Sequence, residues 1–148
     1  MTVKEWRRAV INVYFWIWQL PQNILGLIMS LFLRPLTKLN ADTIATVYSS
    51  SRMSGGISLG DYAFVSKISA KDKLTVAHEG TGHAKQSMML GPLYLIVIGL
   101  PSLIWAGLYG SVIKPTKNGY YKFYTEKWAD KLAGIDREKG TIDENIIK

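Results

Sequence analysis

The sequence predicts a single α+β domain over residues 1–148: a small antiparallel meander and two site-bearing helices, attached to a membrane by two apolar helical hairpins. Three observations predict it. Two uncharged blocks, Ala9 to Leu33 and Ser87 to Ile113, each exceed the roughly 18–20 apolar residues that fill a bilayer core. A β-branched and aromatic stretch lies between them. Helix-patterned segments carrying His, Glu and Asp flank the second block on both sides.

Residues 9–33 form the first apolar segment, with Leu20-Pro21-Gln22-Asn23 near its centre. Each half is about 12 residues, roughly 18 Å as helix, against a bilayer core of about 30 Å. A hairpin dipping into one leaflet and a proline-kinked single span are both compatible with that pattern. Lys4, Arg7 and Arg8 ahead of the run suggest a signal peptide, but the polar centre and the lack of a small-x-small cleavage site argue for retention. Residues 43–67 read as a small sheet: Thr43 to Tyr48, then Ile57 to Gly60 and Tyr62 to Val65, with turns at Met53–Gly56 and Gly60-Asp61. Residues 71–90 read as a helix that stops at Gly91-Pro92. Residues 91–113 repeat the hairpin design, with Gly99-Leu-Pro101-Ser102 as the break. A loop is expected over 115–119. Residues 120–134 read as an amphipathic helix closed by Gly134, and the polar tail from Glu138 as frayed.

Hydrophobic residues make up 48% of the chain, and the net charge is +7. Lys4, Arg7, Arg8, Arg34, Lys38, Lys114 and Lys117 sit beside the apolar blocks, where they suit anionic lipid headgroups better than a nucleic-acid groove. Membrane lipid is therefore an expected partner and nucleic acid is not. The expected location is the cell membrane, with the polar part on the cytoplasmic side. Without cysteine, disulfides and thiolate metal ligands are excluded.

The chemistry is concentrated in Ala77-His78-Glu79-Gly80-Thr81-Gly82-His83. Zinc peptidases place two histidines four apart on one helix face, with a glutamate after the first to act on water. Here the second histidine is five positions on. In an ideal helix five residues turn about 500°, leaving the two side chains roughly 140° apart. A π-bulge winds more slowly and would bring them back to one face, and Gly80 and Gly82 ease such a distortion. Ligation by Glu79 and His83, which are four apart, is the alternative, and it removes the base. Downstream, Glu126 and Asp130 share a face of the later helix, as a third ligand and a carboxylate steadying a histidine would.

The order of these pieces resembles the gluzincin metallopeptidases, particularly the minigluzincins and the membrane-bound CAAX prenyl endopeptidase and heat-shock protease relatives. Glu126-Lys-Trp-Ala-Asp130 matches their Glu-x-x-Ala-Asp element, and the likeness covers roughly Thr43 to Gly134. The Leu-Pro-Gln-Asn, Ser-Gly-Gly-Ile-Ser-Leu-Gly and Leu-Gly-Pro-Leu-Tyr stretches are similar to those of uncharacterised bacterial membrane proteins. The resemblance implies a zincin-like fold and a Zn2+ cofactor held by His78, His83 and Glu126. It also implies Glu79 as catalytic base, Asp130 behind His78, and an extended peptide or protein substrate laid along Ile57, Ser58 and Leu59. Tyr120, Tyr121 and Tyr124 are candidates to stabilise an oxyanion. The extra residue between Glu79 and His83 departs from the usual spacing. It matches the His-Glu-x-x-Gly-His of the dipeptidyl peptidase III family, and equally a catalytically inactive relative that acts as a membrane-bound binding or scaffold protein. With ligands on both sides of the second apolar block, that block must return to its starting side.

Overall fold

The computed structural model describes residues 1–113, 116 and 118–147. Helix α1 (Val3–Trp18) starts at Thr2, whose hydroxyl accepts from the Glu5 amide while the Glu5 carboxylate accepts from the Thr2 amide. Gln19 ends α1, and Pro21 sits in the first turn of α2 (Leu20–Phe32), where its missing N–H costs nothing. Helix α2 is inside out by the standards of a water-facing helix. It buries Gln22, Asn23 and Gly26 and exposes Ile24, Leu25, Leu27, Ile28, Leu31 and Phe32. The buried amides are anchored. Gln22 Nε2 donates to Ser87 Oγ (2.9 Å) and to the Gly91 carbonyl (2.8 Å), and Asn23 Oδ1 accepts from the Asp61 amide at 2.8 Å.

Strands β1 (Leu36–Lys38), β2 (Thr46–Ser50), β3 (Gly56–Leu59) and β4 (Tyr62–Ser66) form one sheet in the order β1-β2-β4-β3. The expected antiparallel meander is corrected: β4 runs parallel to β2, and only the β1–β2 and β3–β4 pairs are antiparallel. Burial accounts for the change. Ala63, Phe64 and Val65 of β4 are fully buried, so this strand takes the centre, while β3, whose first residue is exposed, takes the edge. The tight β3–β4 turn passes through Gly60 at φ +65°, which a glycine adopts without strain. The core lies between the sheet and the helix that follows, built from Ala45, Val47, Ala63, Val65, Val76 and Ala84. Strand β1 was not expected, and β2 starts at Thr46 rather than Thr43.

The helix expected over 71–90 is a composite: α3 (Lys73–Ala77), a π-helical turn (His78–His83) and α4 (Ala84–Leu90). Asp72 caps it, accepting from the Leu74 amide and the Thr75 hydroxyl. Near Tyr94 the path bends by 119° into the segment Leu95–Ser111, which begins with a π turn and continues as α5 (Leu100–Ser111). The break expected at Gly99–Ser102 therefore lies earlier, at residues 91–94, and residues 91–113 are not a hairpin by themselves. Pro101 falls in the first turn of α5, where it does not interrupt the helix, whereas Gly91 at φ +52° followed by Pro92 makes the corner. Among the described residues no single helix is long and apolar enough to cross a membrane.

The loop expected over 115–119 lies partly outside the described residues. A 3-10 turn (Tyr120–Lys122) leads into α6 (Tyr124–Leu132), which ends before Gly134 as expected. The tail is not frayed as the sequence reading had it. Strands β5 (Ile135–Asp136) and β6 (Thr141–Ile142) pair, and α7 (Glu144–Ile147) follows. Lys85 Nζ fastens this end, donating to the Leu132 carbonyl (3.0 Å) and the Ile146 carbonyl (2.9 Å).

Candidate metal centre

The π turn resolves the spacing problem of the His78–His83 pair. Its wide winding brings the two imidazoles onto one face, with ring centroids 4.7 Å apart and planes at 85°. A wide turn also frees backbone carbonyls from the helix ladder, and the Gly80 carbonyl accepts from the Ala45 amide at 2.8 Å. Both glycines are required by packing. A Cβ on Gly80 would press into Thr43 and Val47 of the sheet side, and one on Gly82 would meet the Ala129 backbone of α6. The second contact lets α6 approach closely enough for its carboxylates to reach the histidines.

His78 Nδ1 donates to Asp130 Oδ1 at 2.7 Å, which turns Nε2 toward Glu126 Oε2, 3.0 Å away. His83 is held in the same sense: Nδ1 donates to Gln86 Oε1 at 2.7 Å, and Nε2 lies 3.5 Å from the same Glu126 oxygen. Gln86 is itself fixed by donating to the Thr125 carbonyl at 2.8 Å. Thr125 Oγ1 donates to the other Glu126 oxygen at 3.1 Å. One carboxylate oxygen thus faces two imidazole nitrogens, each backed by a hydrogen bond on its far side. Donor atoms of His78, Glu79 and His83 also lie within 4.8 Å of one another. Of the two carboxylates, Glu126 makes the contacts to both histidines. Glu79 Oε2 is buried with no hydrogen-bond partner among the described residues.

His78, Glu79, His83 and Glu126 are between 2% and 7% exposed, so their charges interact strongly. Burial works against a charged His78, but the hydrogen bonds to Asp130 and Glu126 and the charges of Glu79 and Glu126 outweigh it and hold the imidazole at about 9. Burial raises the Glu79 carboxyl above its ordinary range, with His83 and His78 pulling the other way. Glu126 is held well below the usual carboxylate range, because hydrogen bonds from His78 and His83 and their charges overcome its burial.

The site opens into a cavity of about 660 Å³. Its lining combines polar groups, Glu79, His83, Glu126 and Tyr120, with apolar ones, Leu25, Ile28 and Phe32 of α2 and Leu100, Leu103 and Ala106 of α5. Ile57, Ser58 and Leu59 of the edge strand β3 lie along it. Gly56 is next to Glu79, and a Cβ there would overlap the carboxylate. The three tyrosines separate by role. Tyr120 lines the cavity, Tyr121 sets its ring edge-on to His78 at 5.3 Å, and Tyr124 donates to the Val97 carbonyl at 2.7 Å.

Compared with known proteins, the chain matches no family model, no curated protein and no solved structure. The site therefore rests on its own geometry.

The structure brings His78, Glu79, His83, Glu126 and Asp130 together. Sequence reasoning missed Gln86, Tyr94 and Arg137. Gln86 stands three residues after His83 on the same helix face, a spacing that offered a signal. Tyr94 donates to the Ser58 carbonyl at 3.0 Å and is fully enclosed, but nothing in its sequence neighbourhood points to β3. Arg137 donates to both oxygens of Asp130, from a hairpin too short to read from pattern.

Proposed function

We propose that this protein is a membrane-associated zinc metallopeptidase, with a site of the kind the gluzincin resemblance implies. The observation that carries the reading is the convergence of His78 Nε2 and His83 Nε2 on one oxygen of Glu126, beside the unpartnered Glu79 Oε2. The donor set fits zinc: two imidazole nitrogens and a carboxylate oxygen, buried, each imidazole backed by Asp130 or Gln86. His78, His83 and Glu126 would hold the ion. Bound there, zinc would supply Lewis-acid polarisation of a scissile carbonyl and acidify a water at neutral pH.

The rest belongs to the chain. Glu79 accepts the proton of the attacking water at Oε2 and returns it to the leaving amine. Tyr120, which lines the cavity together with Glu79, His83 and Glu126, is the candidate to donate to the carbonyl oxygen as it gains charge. Among the described residues β3 pairs with no strand but β4, so its other edge offers backbone groups to an extended peptide along Ile57, Ser58 and Leu59, apart from the Ser58 carbonyl, which accepts from Tyr94. Loss of turnover in Ser58→Pro is the expected sign of that mode, and unchanged turnover would exclude it.

Membrane attachment is supported by the inverted polarity of α2 and by the exposed apolar residues of α1 and α5, among them Trp6, Trp16, Leu103 and Leu108. Clustered exposed apolar side chains of this kind are the mark of a surface that meets a membrane or another protein. Helices too short to cross would lie in or dip into one leaflet, which keeps His83 and Glu126 on one side. Labelling of single cysteines at Lys73 and Lys127 in sealed vesicles tests this, and opposite sidedness would sink the reading.

Metal content of the detergent-purified chain is the direct test of function, with His83→Ala and Glu126→Ala in parallel. About one zinc per chain, lost in both variants, is expected. Peptide hydrolysis abolished by Glu79→Gln with zinc retained would complete the case. Zinc without turnover in the wild type would leave a metal-stabilised binding protein.

A further inference from the structure

The C-terminal hairpin carries a group that the zinc reading does not use. Strands β5 and β6 are two residues each, and the residue after β5 is Arg137. Its guanidinium donates from Nε to Asp130 Oδ2 at 2.6 Å and from Nη2 to Asp130 Oδ1 at 2.8 Å, a two-pronged contact. Asp130 Oδ1 is the oxygen that receives His78 Nδ1. The guanidinium carbon also lies 3.1 Å over the Tyr121 ring, and Tyr121 is edge-on to His78. Arg137, Asp130, Tyr121 and His78 thus close a ring of contacts behind the centre. Among the described residues Arg137 is the only Arg or Lys side chain paired with a carboxylate of this site.

We infer that Arg137 is a positioning residue for the metal centre, through which the C-terminal hairpin sets its metal affinity. The inference rests on the zinc reading above and concerns what holds the site in shape. Two effects oppose each other. Arg137 draws negative charge away from Asp130, which by itself makes His78 a weaker donor. It also fixes the plane of a nearly buried carboxylate through contacts to both its oxygens, and so fixes the His78 ring. Orientation is the larger effect, because zinc–ligand distances at a formed site stay within about 0.2 Å of their usual values.

The test uses the full chain in detergent, with Arg137→Gln, Arg137→Lys and, as a control in the same hairpin, Lys139→Gln, whose ion pair with Asp136 is exposed. Zinc affinity is read by competition with a chromogenic chelator, and the His78 Nδ1–H proton by NMR on metal-free protein. Circular dichroism checks that each variant folds. Arg137→Gln is expected to weaken zinc by about tenfold or more and to shift or broaden the His78 resonance. Arg137→Lys, which keeps the charge without the fork, stays several-fold weaker than wild type, and Lys139→Gln matches wild type. Wild-type affinity in Arg137→Gln, or full recovery in Arg137→Lys, overturns the inference. A wild-type chain that takes no zinc overturns the metallopeptidase reading instead. The His78 resonance then still decides the role of Arg137, and an unchanged signal in Arg137→Gln refutes it.

Discussion

Gly82→Ala tests whether the centre depends on the close approach of α6 to the π turn. A Cβ at Gly82 would lie 2.8 Å from the Ala129 carbonyl carbon and 3.1 Å from Ala129 Cα, and closer still to the carbonyl oxygen. Those atoms are backbone, so no side chain can swing aside. Restoring ordinary contact of at least 3.4 Å to the carbonyl oxygen, the nearest of these atoms, requires α6 to retreat by roughly 1 Å. Glu126 and Asp130 ride on that helix, and zinc–ligand distances at a formed site stay within about 0.2 Å of their usual values. Overpacking costs about 1–3 kcal/mol of folding stability, and the displaced carboxylates are expected to lower zinc affinity by about tenfold or more. The assay is thermal unfolding by circular dichroism with and without zinc, together with chelator competition. Gly107→Ala is the control, since nothing lies within 4 Å of its Cβ, and it should leave zinc binding intact. A Gly82→Ala protein with wild-type melting and wild-type zinc affinity would refute the reasoning, because α6 would then not be held by this contact.

Other perturbations separate winding, anchoring and metal coupling. Deleting Thr81 puts the two histidines four apart in an ordinary α-helix, so zinc binding should survive within about tenfold while the Gly80–Ala45 hydrogen bond is strained; loss of zinc from a folded deletion variant would mean the wide turn itself is needed. Gln22→Ala leaves the buried Ser87 hydroxyl and Gly91 carbonyl without their donor and should cost about 1–3 kcal/mol, read as a lower melting temperature in detergent. Removing metal with a chelator should lower the melting temperature of wild type but not of Glu126→Ala. Free zinc at a hundred times its dissociation constant adds about 2.7 kcal/mol to the form that binds it.

The parts of the site that were legible in the sequence are those set by helical winding. His78, His83, Glu126 and Asp130 lie on two helices, where spacing along the chain converts directly into direction in space. Even the π turn followed from that conversion, as the winding that brings residues five apart onto one face. The sheet was not legible in the same way. Its central pairing, β2 with β4, joins strands separated by another strand, and neighbour-pairing cannot anticipate it. The relevant signal was the continuous burial of Ala63-Phe64-Val65, visible only as an apolar run until the fold puts both faces against something. Arg137 and Gln86 were missed for separate reasons. Arg137 reaches His78 only through Asp130, a contact that leaves no periodic trace, whereas Gln86 bonds His83 directly from three residues on, a spacing that patterning for metal-ligand residue types passes over.

Helix α2 shows how composition and structure divide the work of argument. Its sequence, Leu20 to Phe32, is apolar enough to suggest lipid, yet composition alone cannot say which side faces it. The fold assigns the sides by placing Gln22, Asn23 and Gly26 inward, where the amides tie α2 to the turn between β3 and β4 and to the end of α4. Polar contacts hold this helix to the protein, and its apolar residues are left for the surroundings. The same helix contributes Leu25, Ile28 and Phe32 to the lining of the cavity that Glu79 and His83 also line. A single element therefore carries both the surface that faces outward and the lining of the path to the centre. On the membrane attachment proposed above, a change in what the outer face of α2 meets would thus alter access to the site.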